Sequence, residues 1–323
     1  MTQPRFTVLL PVNRPPALLP FAVDSVLGQS LRDFELFIVC DGAPEETVEA
    51  AEKLASDDDR IRVFSFAKGE RHGEAHRHTA LLQANGRYVA QIGDDDIWFP
   101  EHLSELDHLL QTCDFGNLLQ AEIMPDGAFT VYIGDLSDAD TRRKMLESKW
   151  NFFGPSTVGY SLEAYRSLDV GWSPAPSDLW TDLFMWRKFL ARTDLTFATR
   201  PTVQCIKPSA VLRQDMSLSE RQNELAALVQ RFADPAERQA FQTGCNEHLI
   251  SHLRSESRRH ADNAARHAQT ATAQQGKIRQ QQAEIDQLKQ RHNALLASRS
   301  WKMTAPFRAI GKALQKLFAR RPF

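Results

Sequence analysis

The first 125 residues alternate between short β-branched or aromatic runs and stretches with helical periodicity, and this pattern limits the fold more than any other feature. Phe6–Leu10 is β-rich. Leu18, Leu19, Ala22 and Val26 then recur at helical spacing before the Gly28-Gln29 break. Phe34–Val39 reads as a buried strand stopped by Cys40-Asp41-Gly42, and Thr47–Ala55 reads as a helix. Ile61–Phe64 is the next strand, Ala75–Ala84 the next helix, and Tyr88–Ile92 a fourth strand halted by Gly93 and three aspartates. Strands separated by helices of this length make a parallel sheet with right-handed crossovers. Ligands of such sheets sit at the carboxyl ends of the strands, so the polar residues that end each strand are where chemistry is expected.

Asp94-Asp95-Asp96 lies at one such end. Carboxylates packed this closely repel, and Mg²⁺ or Mn²⁺ would relieve the repulsion while also binding substrate phosphate oxygens. Asp96 reads as the N-cap of a helix beginning near Pro100. A second triplet, Asp57-Asp58-Asp59, reads as a solvated loop. His72, His76 and His78 have metal-like spacing but no Cys or acid cluster beside them, so zinc is set aside.

These pieces together resemble the family 2 glycosyltransferases of GT-A fold that build bacterial surface polysaccharides. The resemblance runs from Phe6 to Leu103 through Thr7–Asn13, Ser25–Ser30, Asp33–Gly42, Gly86–Ala90 and Asp94–Pro100, in order and in spacing. It implies a Rossmann-like, mostly parallel α/β sheet flanked by helices. It also implies roles. Pro11, Val12 and Asn13 would line the nucleotide pocket, and Asp41 would accept a hydrogen bond from the nucleobase. Arg77 and His78 would stand near the diphosphate and donor sugar, Asp94 would contact ribose or sugar, and Asp95 would ligate the metal. The chain departs from the family pattern at Cys40, at His78 and at Gly93. In the second half, Asp182 with Trp186 four residues on matches the family's general base, Asp178 is the alternative, and Arg213 falls where a segment covers the diphosphate. A carboxylate serves as a base only when held within hydrogen-bond reach of the attacking hydroxyl.

The implied reaction is inverting transfer from a nucleotide-diphosphate sugar to a hydroxyl of a growing glycan or lipid-linked acceptor. A catalytically weak scaffold is the alternative, argued against by the presence of Asp94, Asp95 and Asp182 together. A sugar-nucleotide pyrophosphorylase ranks lower, because Pro11–Pro16 is not a Gly-rich loop with Arg and Lys.

Beyond residue 125, Leu118–Met124 and Ala128–Ile133 flank the turn Pro125-Asp126-Gly127, and residues 178–192 and 218–254 read as helices. Charge then divides the chain. Residues 254–323 carry 15 Lys/Arg against four acids, whereas residues 1–253 carry 24 against 37, so the formal net charge of −2 averages an acidic body and a basic extension. The expected organisation is a transferase domain over 1–253 (nucleotide-sugar half 1–125, acceptor half 126–253), a helical stalk over 254–297 and a basic amphipathic tail over 298–323. Within 257–297, Ala264, Ala271, Ile278, Ile285 and His292 take a positions and Gln281, Leu288 and Leu295 d positions, a heptad suited to pairing with a second copy. In the tail, Phe307, Ile310, Leu314, Leu317 and Phe318 share one helical face among Arg308, Lys312, Lys316 and Arg320, the composition of a helix lying on an anionic membrane surface.

No apolar run approaches the ~18 residues needed to span a bilayer. No secretory h-region is read near Met1–Pro11, and the four cysteines form no C-x-x-C pair. The expectation is therefore a cytoplasmic protein, peripheral on the inner face of the membrane. Nucleic acid is not expected as a partner, since net positive charge is confined to the tail and no aromatic-basic sheet motif occurs. Trp150, Trp172 and Trp180 are left open between core and acceptor site.

Overall fold

The structure is a computed structural model that describes residues 3–318. The chain divides into two compact units, Met1–Ser251 and His252–Phe323.

The first unit is built on a nine-stranded mixed sheet: β1 (Phe6–Val12), β2 (Phe34–Asp41), β3 (Ile61–Phe66), β4 (Tyr88–Gln91), β5 (Ile97–Trp98), β6 (Phe115–Ile123), β7 (Phe129–Val131), β8 (Val158–Ser161) and β9 (Phe197–Lys207). The order is β3-β2-β1-β4-β8-β6-β9-β5, with β7 paired to β6. The first half is parallel, as the alternation of strands and helices predicts: β1 pairs with β2 and β4, and β2 with β3. The second half is not uniformly so. β8 runs antiparallel to β4 and β6, and β5 runs antiparallel to β9.

Period-two alternation explains why the sheet carries helices on both faces. Phe6, Val8, Leu10 and Val12 of β1 point to one side with Leu36 and Ile38 of β2, and meet Leu19, Val23 and Val26 of the helix Leu19–Leu27. Leu9 points the other way with Phe37 and Val39, onto Ala80 and Leu81 of the helix Glu74–Leu81 and toward Trp186 and Phe189 of the helix Thr181–Leu190. Each fully buried Leu, Val or Phe contributes about 1.5–3 kcal/mol of transfer free energy, so the two faces fix the register from both sides.

Two expectations change. The helix over 218–254 is two helices, Leu218–Ala233 and Pro235–Ala297, because Pro235 cannot continue a helix but serves well as a first helical residue. Asp96 does not cap the following helix, which runs His102–Leu110 with Glu101 at its N-cap.

In the second unit the heptad residues Ile278, Ile285, Leu288 and Leu295 are exposed. Ser298 caps the short helix Arg299–Met303, and the helix Ala305–Phe318 follows with Phe307, Ile310 and Leu314 exposed. Residues 319–323, with Arg320 of the expected tail, lie outside the described residues. Among the described residues, no helix is long and apolar enough to cross a membrane.

Candidate active site

The carboxyl ends of β1, β2 and β4 open onto one cavity of about 750 Å³. Pro11, Val12, Asn13, Asp41, Arg77, Asp94, Asp95 and Asp182 all line it, so residues up to 171 positions apart meet there. Two of the residues read from the sequence do not. His78 turns away on its helix and bonds Tyr165 Oη at 2.8 Å. Arg213 is buried outside the cavity, paired with Glu224 at 2.5 Å. A separate cavity of about 800 Å³ lies at the amino ends of β4 and β6, beside Arg87 and Asp114, and none of these residues reaches it.

Asp41 closes β2 and is buried. Its Oδ1 accepts from the Gly69 N–H at 2.7 Å and lies 3.0 Å from His76 Nδ1, and its Oδ2 is paired with Lys68. Burial opposes ionisation here, but Lys68, the Gly69 amide and His76 outweigh it and hold the carboxyl below the usual range. The local backbone is built for this. Gly73 adopts φ +69°, and a Cβ there would lie 2.5 Å from Asp41 Oδ2. His76, stacked on Phe66 with ring centroids 4.4 Å apart, completes the arrangement.

The three aspartates after β4 are each met by a different cation. Arg14 forks across Asp94 (Nε–Oδ2, 2.8 Å; Nη2–Oδ1, 2.9 Å) and reaches Asp95 Oδ2 at 3.1 Å. Arg221, from the helix Leu218–Ala233, donates to the same Asp95 Oδ2 at 2.7 Å. Asp96 is buried against Ser156 Oγ (2.5 Å) and Lys207 Nζ (3.4 Å). Burial raises the pKa of Asp94, with Arg14 opposing and Asp95 reinforcing the rise. Burial likewise raises Asp96, against the pull of Lys207. Sequence reading missed Arg14, Arg221, Lys207 and His76. The three cations stand 80, 126 and 111 positions from their carboxylates, and no local pattern announces such a pair.

Asp182 stands in the first turn of the helix Thr181–Leu190. Its Oδ2 accepts from Asn151 Nδ2 at 3.2 Å and its Oδ1 from the Leu183 N–H at 2.7 Å. Burial raises its pKa above the ordinary carboxylate value despite these bonds. The helix is tied to the helices of the first half by Thr181 Oγ1, which donates to Glu74 Oε1 at 2.9 Å. Nearby, the buried Arg77 guanidinium lies 4.9 Å from the Trp172 ring centroid and donates to the His72 carbonyl at 2.8 Å. Its Nε has no hydrogen-bond partner among the described residues. Asp178 lines a neighbouring shallow cavity instead of this one.

Chemically, the arrangement offers a hydrogen-bond acceptor (Asp41), a cationic wall (Arg14, Arg77), an acidic corner (Asp94, Asp95) and a carboxylate whose proton affinity burial has raised (Asp182). Among the described residues no three His, Cys, Asp or Glu side chains converge as a metal cage.

Residues 7–129 match the family described as Glycosyl transferase family 2. The chain is 29% identical over 103 residues to the GalNAc(5)-diNAcBac-PP-undecaprenol beta-1,3-glucosyltransferase of Campylobacter jejuni, covering 32% of this chain and 33% of that one. It is 28% identical over 148 residues to the succinoglycan biosynthesis protein ExoW of Rhizobium meliloti, covering 45% and 46%. These matches span between a third and just under half of the relatives' length. Among solved structures, Staphylococcus aureus TarS 1-349 superposes with a TM-score of 0.52 at 15% identity, covering 63% of this chain and 60% of that one. Its complex with UDP-GlcNAc superposes at 0.50 and 16% identity, covering 62% and 58%. At such identity the likeness establishes fold alone, and it agrees with the sheet order and with the family match. Residues 7–129 are thus similar to Glycosyl transferase family 2, on a sheet of GT-A fold.

Proposed function

We propose that the chain is an inverting glycosyltransferase that moves a sugar from a nucleotide-diphosphate sugar to a hydroxyl of a growing glycan or lipid-linked acceptor in cell-surface polysaccharide synthesis. One observation carries the reading: Asp182, from the second half of the domain, lines the same cavity as Asn13, Asp41, Asp94 and Asp95 at the strand ends. The names of the two relatives, one a glucosyltransferase and one a succinoglycan biosynthesis protein, support it, as does the UDP-GlcNAc bound to TarS.

In this account Asp41 binds the nucleobase. Three of its roughly four acceptor positions are taken by Lys68, Gly69 and His76, which leaves one for a base N–H. Arg77 and Arg14 lie where the diphosphate and donor sugar would pass, and Asp94 contacts ribose or sugar. Asp95 fits a Mg²⁺ or Mn²⁺ ion at one atom, since Arg14 and Arg221 both occupy Oδ2 while Oδ1 carries no hydrogen bond from the described residues. Mg²⁺ commonly takes one or two carboxylates and fills its remaining positions with substrate phosphates and water, so no larger cage is required. When bound, such an ion would neutralise charge developing on the nucleoside diphosphate leaving group. Asp182 takes the proton from the acceptor hydroxyl as that oxygen attacks the anomeric carbon in line. Its raised pKa suits a base, because a carboxylate less willing to stay ionised holds the proton better.

Two partners belong to the same proposal. The exposed heptad face of 257–297 pairs with a second copy, and the basic, apolar-faced segment 298–323 rests on anionic lipid at the inner face of the membrane. The test of function is a thermal-shift screen of UDP-, GDP- and dTDP-sugars with Mn²⁺, followed by hydrolysis of any donor that stabilises the protein. The account expects at least one donor to bind and to be slowly hydrolysed. Stabilisation by none of them overturns it.

A further inference from the structure

Trp180 occupies the N-cap position of the helix that carries Asp182, at φ −70° and ψ 140°, yet it makes no side-chain cap bond. Capping favours Ser, Thr, Asp or Asn, so local structure gives no reason for a tryptophan here. Packing gives none either, because the side chain is 48% exposed and lines the cavity. Its two neighbours are fastened across the cavity: Arg71 Nη2 donates to the Leu179 carbonyl at 3.3 Å, and Thr181 Oγ1 donates to Glu74. The indole is thus presented to solvent on a backbone pinned at both sides, two residues from the proposed base. Lys149, also exposed and also lining the cavity, places its ammonium 5.4 Å from the Trp180 ring centroid. The other two tryptophans that sequence leaves open are differently placed. Trp172 is buried edge-on against Trp186, and Trp150 is half-buried against Phe152 and does not line the cavity.

We propose that Trp180 and Lys149 form an acceptor subsite for a sugar bearing an anionic group, the sugar ring stacking on the exposed indole and a phosphate or carboxylate pairing with the ammonium. The proposal rests on the transferase reading above and names the substrate class of its second substrate. An aromatic face takes the apolar C–H face of a pyranose at small entropic cost when the ring is already held, and a lysine ammonium recognises phosphate as a compact charge. A neutral sugar would use only the first contact, so charge is what this chain would select for.

The test uses the full chain with UDP bound. The probes are the 1-phosphates of glucose, galactose, mannose and N-acetylglucosamine and the four corresponding methyl glycosides, with binding read by saturation-transfer NMR. At least one sugar phosphate should bind wild type about tenfold or more tighter than its methyl glycoside. Lys149→Gln should erase that preference while keeping the weaker methyl-glycoside affinity. Trp180→Ala should weaken both probes about tenfold or more, and Trp180→Phe should recover most of the loss. Failure of every probe to bind wild type overturns the subsite, as does a Trp180→Ala variant that binds like wild type. UDP affinity separates the two claims. UDP binding in wild type with no effect of Trp180→Ala on the sugar probes sinks the subsite alone, whereas absence of UDP, GDP and dTDP binding in wild type sinks the transferase reading beneath it.

Discussion

Replacing Gly73 by alanine probes the geometry around Asp41 most sharply, because the structure supplies its own control. Gly73 and Gly127 both hold left-handed backbone, at φ +69° and +84°. An alanine at either position bears the same conformational strain, about 1–2 kcal/mol. Their surroundings differ. A Cβ on Gly127, at the β6–β7 turn, meets nothing within 4 Å, whereas a Cβ on Gly73 lies 2.5 Å from Asp41 Oδ2 and 2.7 Å from Asp41 Cβ. Asp41 must therefore move and weaken its bonds to Lys68, the Gly69 amide and His76. Disturbing a buried, charge-assisted acceptor adds about 1–3 kcal/mol. Urea unfolding followed by tryptophan fluorescence should show Gly127→Ala costing about 1–2 kcal/mol and Gly73→Ala about 2–5 kcal/mol. Nucleotide affinity should fall about tenfold or more for Gly73→Ala, and stay unchanged for Gly127→Ala. Equal destabilisation by the two variants, with nucleotide affinity intact in both, would refute the claim that Gly73 exists to admit the Asp41 carboxylate.

Further outcomes follow from the same site. Lys207→Met leaves the buried Asp96 without its cation and should cost about 3–5 kcal/mol of stability; a loss under 1 kcal/mol in urea unfolding would show that Lys207 does not compensate Asp96. Because Asp41 titrates below its ordinary value, its contribution is complete above the unfolded carboxylate pKa of about 4 and disappears as pH falls through the lower folded one. Asp41→Asn should therefore flatten the acid side of the stability–pH curve. For Asp182 the shift is upward, so the acidic limb of donor turnover should lie above pH ~4, and a limb below that value would point to another base. Deleting 298–323 should abolish co-sedimentation with anionic liposomes at low salt while leaving neutral liposomes unbound in both forms.

The first half was legible because its strands are announced locally, by apolar runs that for β1, β2 and β4 lead into Asn13, Asp41 and Asp94, and because parallel pairing of consecutive units follows from their spacing. The second half was less so. β8 and β9 enter the sheet between strands far away in sequence, and their antiparallel and parallel pairings with β4 and β6 depend on tertiary packing that no short pattern encodes. The same limit explains the site. Asp41, Asp94, Asp95 and Asp182 stand in recognisable motifs, while the cations that face the aspartate triplet come from a loop, a strand end and a helix with no motif of their own. Acids favour helix starts, so its position alone marks Asp96 as a cap. Its burial against Ser156 and Lys207 could not be foreseen from the residues beside it. Register with the family resemblance places His78 beside Arg77 near the diphosphate. Adjacent helical residues point about 100° apart, so when Arg77 faces the cavity its neighbour turns toward Tyr165.

The central claim is that Asp182 is the base of an inverting transfer, and Asp182→Asn tests it most directly. With a donor that stabilises wild type, turnover should fall about 100-fold or more while donor affinity stays within twofold. The half-buried, upward-shifted carboxylate costs the folded state stability once it ionises, so the neutral asparagine should also raise the melting temperature at pH 8. Full turnover in Asp182→Asn, with donor bound as in wild type, would contradict the account.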